Sequence, residues 1–335
     1  MLPAHDRAVV DPAPADREPA RPASRVPPLV WALVATLVAS PTLLGDLFTS
    51  VALENWATVF LSLTLQALPF LVLGVIVSAV ISAFVPAEWL ARALPDRPAV
   101  AVPVAGLAGA VLPGCECSSV PVAGRLVDKG APPAAALAFL LAAPAINPVV
   151  MVSTVVAFPG RPEVAAARFG ASLLAAVVVG VAWSRLASAS WLERRPADPA
   201  GHSHGRAFVD TAVSDLLQAG GFLVLGAALV ATMHTVVPRS AFDGFAGDAA
   251  ASIVVLAVLA VVLSICSEAD AFVAAGLTQF SMTSRLVFLV VGPMVDLKLI
   301  ALHVGTFGGR FALRFEPLVV AVAVVSATVV GTVVL

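Results

Sequence analysis

Few side chains in this chain can do chemistry, and they sit together. The run Pro113-Gly114-Cys115-Glu116-Cys117-Ser118-Ser119-Val120-Pro121 gathers two thiols, a carboxylate and two hydroxyls between helix breakers. It leads on to Ala143-Pro144-Ala145-Ile146-Asn147-Pro148. The pattern then returns 149 residues later: Cys117-Ser118 is matched by Cys266-Ser267, Phe139-Leu140 by Phe288-Leu289, Pro144 by Pro293 and Asn147 by Asp296. A register held without a gap over about thirty residues is hard to obtain by chance from an Ala/Val/Leu-rich composition, so two copies of one unit are expected.

Glu116, Glu268, Asp270 and Asp296 lie inside or at the edge of apolar segments. An ionised carboxylate there is costly unless it is paired or hydrated. Arg125, Lys129, Arg285 and Lys298 are candidate partners. One reading is a set of structural ion pairs; for the acids as a group, a substrate or proton pathway is the preferred one. Cys115, Cys117 and Cys266, if they converge, would suit a soft ion such as a trivalent arsenical, zinc or copper(I). Cysteines also serve as small packing residues in membrane helices, and both readings stand. Ser118 and Ser267 accompany the thiols as candidate substrate ligands. Asn147 and Asp296 follow equivalent prolines by three residues. There a broken helix exposes ends that coordinate ions or substrates, and the same side chains could cap the helix that restarts. His202 and His204 form a weak His-x-His pair, while His234 and His303 lie near span ends as packed residues or proton carriers.

The elements that must position these groups are apolar. Hydrophobic residues make up 60% of the 335 and charged ones 12%, against roughly half and a quarter in an ordinary soluble domain. Segments of about 20 apolar residues recur from end to end, long enough to cross the hydrocarbon as helices. They have almost no polar face, which argues against one large soluble core. The net charge of −2 leaves no nucleic-acid footprint. No P-loop, Gly-x-Ser-x-Gly or His-Glu-x-x-His pattern is present, so neither ATP hydrolysis nor an intramembrane enzyme is expected, and no cofactor. Three cysteines are too few for a secreted disulfide framework.

In chain order, residues 1–27 read as a disordered cytoplasmic tail and 28–50 as an extra N-terminal transmembrane helix. Residues 51–187 form the first repeat, 188–209 a basic cytoplasmic linker, and 210–335 the second repeat. Within the repeats, Leu65-Gln66-Ala67-Leu68-Pro69-Phe70-Leu71-Val72-Leu73-Gly74 is echoed by Leu217-Gln218-Ala219-Gly220-Gly221-Phe222-Leu223-Val224-Leu225-Gly226 at an offset of 152. Spans are expected at about 56–85, 131–158 with a break at Pro144 to Pro148, 164–187, 211–237, 249–266, 284–307 and 317–335. Residues 117–130 are too short and polar to span alone. If they dip in and return, each copy crosses four times and the Arg-rich linker falls outside. If they cross with a neighbour as a broken pair, each copy crosses five times, the copies are inverted and the linker stays inside. The expected fold is thus an all-α membrane protein: a polytopic helical bundle of two inverted repeats with broken helices at the centre.

The run from Cys115 to Pro121, with Gly130, Phe139-Leu140, Pro144 and Asn147, and the second run Cys266-Ser267, Phe288-Leu289, Gly292-Pro293 and Asp296, resembles a known family. It is the predicted-permease family of bacterial inner-membrane proteins that includes the organoarsenical efflux permeases. The resemblance covers most of the chain from about residue 50. It implies a multi-pass plasma-membrane permease in which Cys115, Cys117 and Cys266 are the reason to think of arsenicals or metals. The expected function is a secondary transporter, an exporter of a small solute or a soft metal or metalloid, with protons as the coupling ion. A channel, or the membrane subunit of a larger complex, is the alternative.

Overall fold

Proline punctuates this chain, yet five of the described helices run through one. The structure is a computed structural model, and it describes residues 50–84, 97–111, 116–186, 204–236 and 248–335. Among these residues every regular element is an α-helix. In order they are α1 (Ser50–Phe84), α2 (Pro98–Gly109), α3 (Glu116–Asp128), α4 (Pro133–Ile146), α5 (Pro148–Ala157) and α6 (Pro162–Leu186). Then come α7 (His204–Val236), α8 (Ala249–Leu263), α9 (Asp270–Gly276), α10 (Met282–Val291), α11 (Leu297–Phe307) and α12 (Gly309–Val334). The tail expected at 1–27 and the helix expected at 28–50 lie outside the described residues, apart from Ser50, the first residue of α1.

Among the described residues five stretches are long and apolar enough to cross a membrane: Val51–Phe84, Pro133–Ala157, Pro162–Leu186, Phe208–Thr232 and Gly309–Val334. Alternate elements pack against one another. α2 lies on α4 and α4 on α6, and later α8 lies on α10 and α10 on α12. α1 runs along α7, and α6 along α12. α4 is buried almost throughout, from Ala134 to Ile146, while α7 and α12 each bury a minority of their most apolar turns, so α4 is central and α7 and α12 peripheral. The outer faces carry leucine, isoleucine and valine, such as Leu61, Leu65 and Ile76 on α1 and Val325, Val329 and Val333 on α12. Such faces are stable against lipid and costly against water.

Two glycines at equivalent places in the echoed runs bring backbones together. A Cβ on Gly74 would stand 2.5 Å from the Ser118 Cα, and one on Gly226 2.7 Å from the Lys298 Cα. Any larger residue would therefore push α3 away from α1, or α11 away from α7. A Cβ on Gly109 would stand 2.7 Å from the Ala143 nitrogen. Only a missing side chain permits such approach.

Several boundaries differ from those expected. α7 begins at His204, inside the stretch expected as linker to residue 209. α12 begins at Gly309 rather than at residue 317, because Pro317 is accommodated within the helix instead of starting it. The span expected at 284–307 is two helices, α10 and α11, separated by Gly292–Asp296. Between α4 and α5 the interruption is a single residue: Asn147 has φ −67° and ψ 160°. Pro148 explains it, since a residue preceding proline is driven out of the α region.

Candidate functional site

α3 begins with Glu116, and its first nine residues, Glu116 to Gly124, are buried. α11 begins just after Asp296, whose backbone is extended at φ −145° and ψ 170° and whose Oδ1 accepts the Leu299 N–H at 2.6 Å. Ser264 ends α8 in the left-handed region, at φ 47°, and its Oγ accepts the Leu297 N–H at 3.0 Å. Two orphan N–H groups of α11 are thereby satisfied by side chains. The result is a fixed start for the helix that carries Lys298.

Lys298 is wholly buried, and its Nζ donates to Glu116 Oε1 at 2.7 Å. Asp296 Oδ2 stands 3.2 Å from the same Nζ, an ion-pair distance without hydrogen-bond alignment. One ammonium thus serves two carboxylates, one from α3 and one from the approach to α11. Beside this triad, Arg168 on α6 holds Asp270 on α9 in a two-pronged pair, Nη1 to Oδ1 at 2.9 Å and Nη2 to Oδ2 at 2.7 Å. Arg168 also donates to Thr154 Oγ1 at 2.9 Å and to the Ser267 carbonyl at 3.3 Å. Its planar fork suits this arrangement in a way that a lysine could not.

Glu268 connects the two groups. Its charge is felt by Glu116, Lys298 and Arg168, and Asp270 in turn interacts with both Glu116 and Glu268. Both Glu268 carboxylate oxygens are buried without a hydrogen-bond partner, as are Glu116 Oε2 and Ser267 Oγ. Four carboxyl groups (Glu116, Glu268, Asp270 and Asp296) therefore share a buried region with two cations, Arg168 and Lys298. With every group ionised this leaves two negative charges in excess, an arrangement that low-dielectric surroundings penalise heavily. Taking up protons or a cation relieves it.

The thiols flank this cluster. Cys117 and Cys266 are buried, neither is in a disulfide, and both lie within electrostatic reach of the Lys298 ammonium. Cys115 lies outside the described residues. Among the described residues no group of three or more His, Cys, Asp and Glu side chains is arranged to hold a metal ion. Ser118 is buried where Gly74 presses against it. Asn147 caps α5, its Oδ1 accepting the Val150 N–H at 3.0 Å while its Nδ2 donates to the Ala143 carbonyl at 3.1 Å. Asn147 and Asp296 thus perform the same capping task at matched positions.

The expected partners need correction. Of the four basic residues singled out from the sequence, Lys298 does neutralise the central acids. Arg125 instead pairs with Asp215 of α7 at 2.6 Å and with Asp128 at 3.3 Å. Arg285 donates from Nε to the Phe280 carbonyl. Lys129 follows the end of α3, where its backbone N–H donates to the Arg125 carbonyl. The residue missed is Arg168. Its signal was available, since an arginine seven positions into a 25-residue apolar helix is expected to face a buried acid. Thr154 was missed with it.

Membrane-length helices around a buried, charge-bearing centre define a multi-pass membrane protein. The chain belongs to the predicted-permease family, whose profile matches residues 52–332. It is 35% identical over 266 residues to UPF0718 protein YcgR of Bacillus subtilis, covering 76% of this chain and 89% of that one. It is also 30% identical over 266 residues to a Streptococcus mutans protein named "Putative two-component membrane permease complex subunit", covering 77% of this chain and 88% of that one. No solved structure matches.

Proposed function

We propose that this permease is a proton-coupled secondary transporter that exports a small solute from a bacterial cell through a site where its two halves meet. One observation carries the proposal: Lys298 is buried between Asp296 of its own half and Glu116 of the first, with the unpartnered carboxylate of Glu268 beside them. A structural ion-pair set would be expected to use its acids up. Here buried oxygen atoms are left over, and a proton or a cationic solute is what would complete them. This reading is of a transporter rather than an enzyme and calls on no cofactor.

The repeat reading gains support from the element order. α1 to α6 and α7 to α12 follow one another in the same sequence of long, short, short, interrupted and long helices. Interruptions at Asn147 and before Asp296 are the broken helices of this reading, placed at the centre as in many transporters. Inverted copies in the plasma membrane, with a cytoplasmic N-terminus, predict that residues 85–96 and 237–247 report opposite faces of the membrane. Reporter fusions at those two places check it, and fusions reporting the same face would make the copies parallel.

The solute class that the thiols suggest is a soft one, a trivalent arsenical or a thiophilic metal ion, held by Cys117 and Cys266 with the hydroxyls of Ser118 and Ser267. Growth of a sensitive host on arsenite, methylated arsenicals, zinc and copper tests it. The chain should raise tolerance to at least one of these, and Cys117→Ser and Cys266→Ser should each abolish the gain at unchanged membrane level. No gain with any of them would exclude a soft solute. A second reading, a membrane subunit that needs a partner, is favoured by the name of the Streptococcus mutans relative. Under that reading, liposomes holding this chain alone are inert.

A further inference from the structure

One buried polar pair stands apart from the central cluster. His303 of α11 faces Glu316 of α12 with Nδ1 and Oε1 2.6 Å apart, and the imidazole is wholly buried. The remaining walls are aromatic. Ring centroids lie 6.0 Å away for Phe307, 6.0 Å for Phe311 and 5.7 Å for Phe315. Trp183 of α6 meets Phe311 and Phe315 edge-on at 5.2 and 5.4 Å. His303 Nε2 and Glu316 Oε2 are buried without a hydrogen-bond partner.

The other charged side chains described on the surrounding helices have partners of their own or reach solvent. On α12 Arg310 and Arg314 are exposed; on α6 Arg185 is exposed, Glu163 pairs with Arg161 and Arg168 holds Asp270; on α10 Arg285 donates from Nε to the Phe280 carbonyl. On α11 Lys298 is held by Glu116 of α3 and by Asp296. On α7 Asp210 is exposed and Asp215 is held by Arg125 of α3, which also holds Asp128, and by Ser78. Glu316 is the charged group that meets the imidazole among the described contacts.

The first half has a counterpart with different chemistry. His303 falls 149 residues after Thr154, and Glu316 148 residues after Arg168. Thr154 and Arg168 are themselves hydrogen-bonded at 2.9 Å. Where the first half holds a guanidinium that keeps its charge at every accessible pH, the second holds a histidine and a carboxylate. With a neutral imidazole and an ionised carboxyl the pair carries one negative charge. One added proton makes it neutral, as imidazolium with carboxylate or imidazole with carboxylic acid.

We infer that His303 and Glu316 form a second proton-binding site, separate from Glu268 and carried on the same helix as Lys298. The ligand is a single proton, entering at Nε2 or Oε2, the two atoms of the pair without a hydrogen-bond partner among the described residues. Because α11 carries both His303 and Lys298, the charge state of the pair bears on the helix that holds the central ammonium. Use of this proton in solute movement rests on the transporter reading; its binding does not.

Trp183 supplies a readout that needs no solute. A chain with Trp31, Trp56, Trp89 and Trp191 replaced by phenylalanine is purified in detergent, and Trp183 emission is followed as the pH is stepped. A reversible pH-dependent step is expected. His303→Gln should abolish that step, and Glu316→Gln should displace it along the pH axis. A flat profile in the parent, or one unchanged in both variants, overturns the inference. Should His303→Gln fail to elute as a folded protein, the isosteric Glu316→Gln variant decides alone, since an unmoved step there excludes the pair. Failure of this readout leaves the central site standing, and an inert permease would leave this readout intact.

Discussion

Lys298→Met should destabilise the protein by about 3–5 kcal/mol, the usual effect of stranding buried charge by removing one partner of an ion pair. The reason is local. Lys298 and Asp296 are wholly buried and Glu116 is 1% exposed, so neither carboxylate can turn to water when the ammonium is lost. The cluster would then hold four acids against Arg168 alone. Melting of the detergent-purified chain measures the effect, with abundance in the membrane as a second readout. Adding Glu116→Gln to Lys298→Met should recover a large part of the loss, because the amide preserves shape while removing one stranded charge. If Lys298→Met melts with the parent, the ammonium is not what neutralises the two acids.

Arg168→Met should have an effect of similar size for a related reason. This guanidinium donates four hydrogen bonds, two of them to one carboxylate that is 2% exposed. Removing it leaves Asp270 charged and buried and frees Thr154 and the Ser267 carbonyl, at about 3–5 kcal/mol for the broken pair. Arg168→Lys should restore little, since an ammonium cannot match two carboxylate oxygens in a plane. Arg168→Met with Asp270→Asn should melt well above Arg168→Met alone. Equal melting of the single and double variants would show that Asp270 is not the group left stranded. The two clusters lie close enough to couple, so effects at Arg168 and Lys298 should not add.

Much of the fold was legible because hydrophobic length is a direct physical requirement of a bilayer. Apolar runs of the right length mark α1, α6 and α7, and the glycines at 74 and 226 mark close helix contacts. What was hidden depends on tertiary surroundings. Pro317 looks like a helix start in sequence, yet its ring fits within α12, whose first turns carry Arg310 and Arg314. The acids of the site were legible, since carboxylates in apolar segments are rare and expensive. Their partners were only half legible. Lys298 lies two residues from Asp296, whereas Arg168 and Asp270 are 102 residues apart and joined only by the packing of α6 against the second half. Proximity in sequence therefore favoured Arg125 and Arg285, which serve other neighbours. The paired caps Asn147 and Asp296 were readable from the prolines before them, because backbone geometry there is set locally.

Solute accumulation in everted membrane vesicles, driven by an imposed pH gradient and compared between the parent chain and Glu268→Gln, is the most direct test of the central site. The solute is whichever of arsenite, a methylated arsenical, zinc or copper the growth experiments select. Glu268 makes no hydrogen bond to another described residue through its carboxylate, so an amide there should leave folding and membrane level intact. A proton-coupled site requires that the parent accumulate solute only with the gradient and that Glu268→Gln lose this gradient-driven accumulation. Equal accumulation by both, at equal protein level, would contradict it and leave the buried charges as structural ties between the halves.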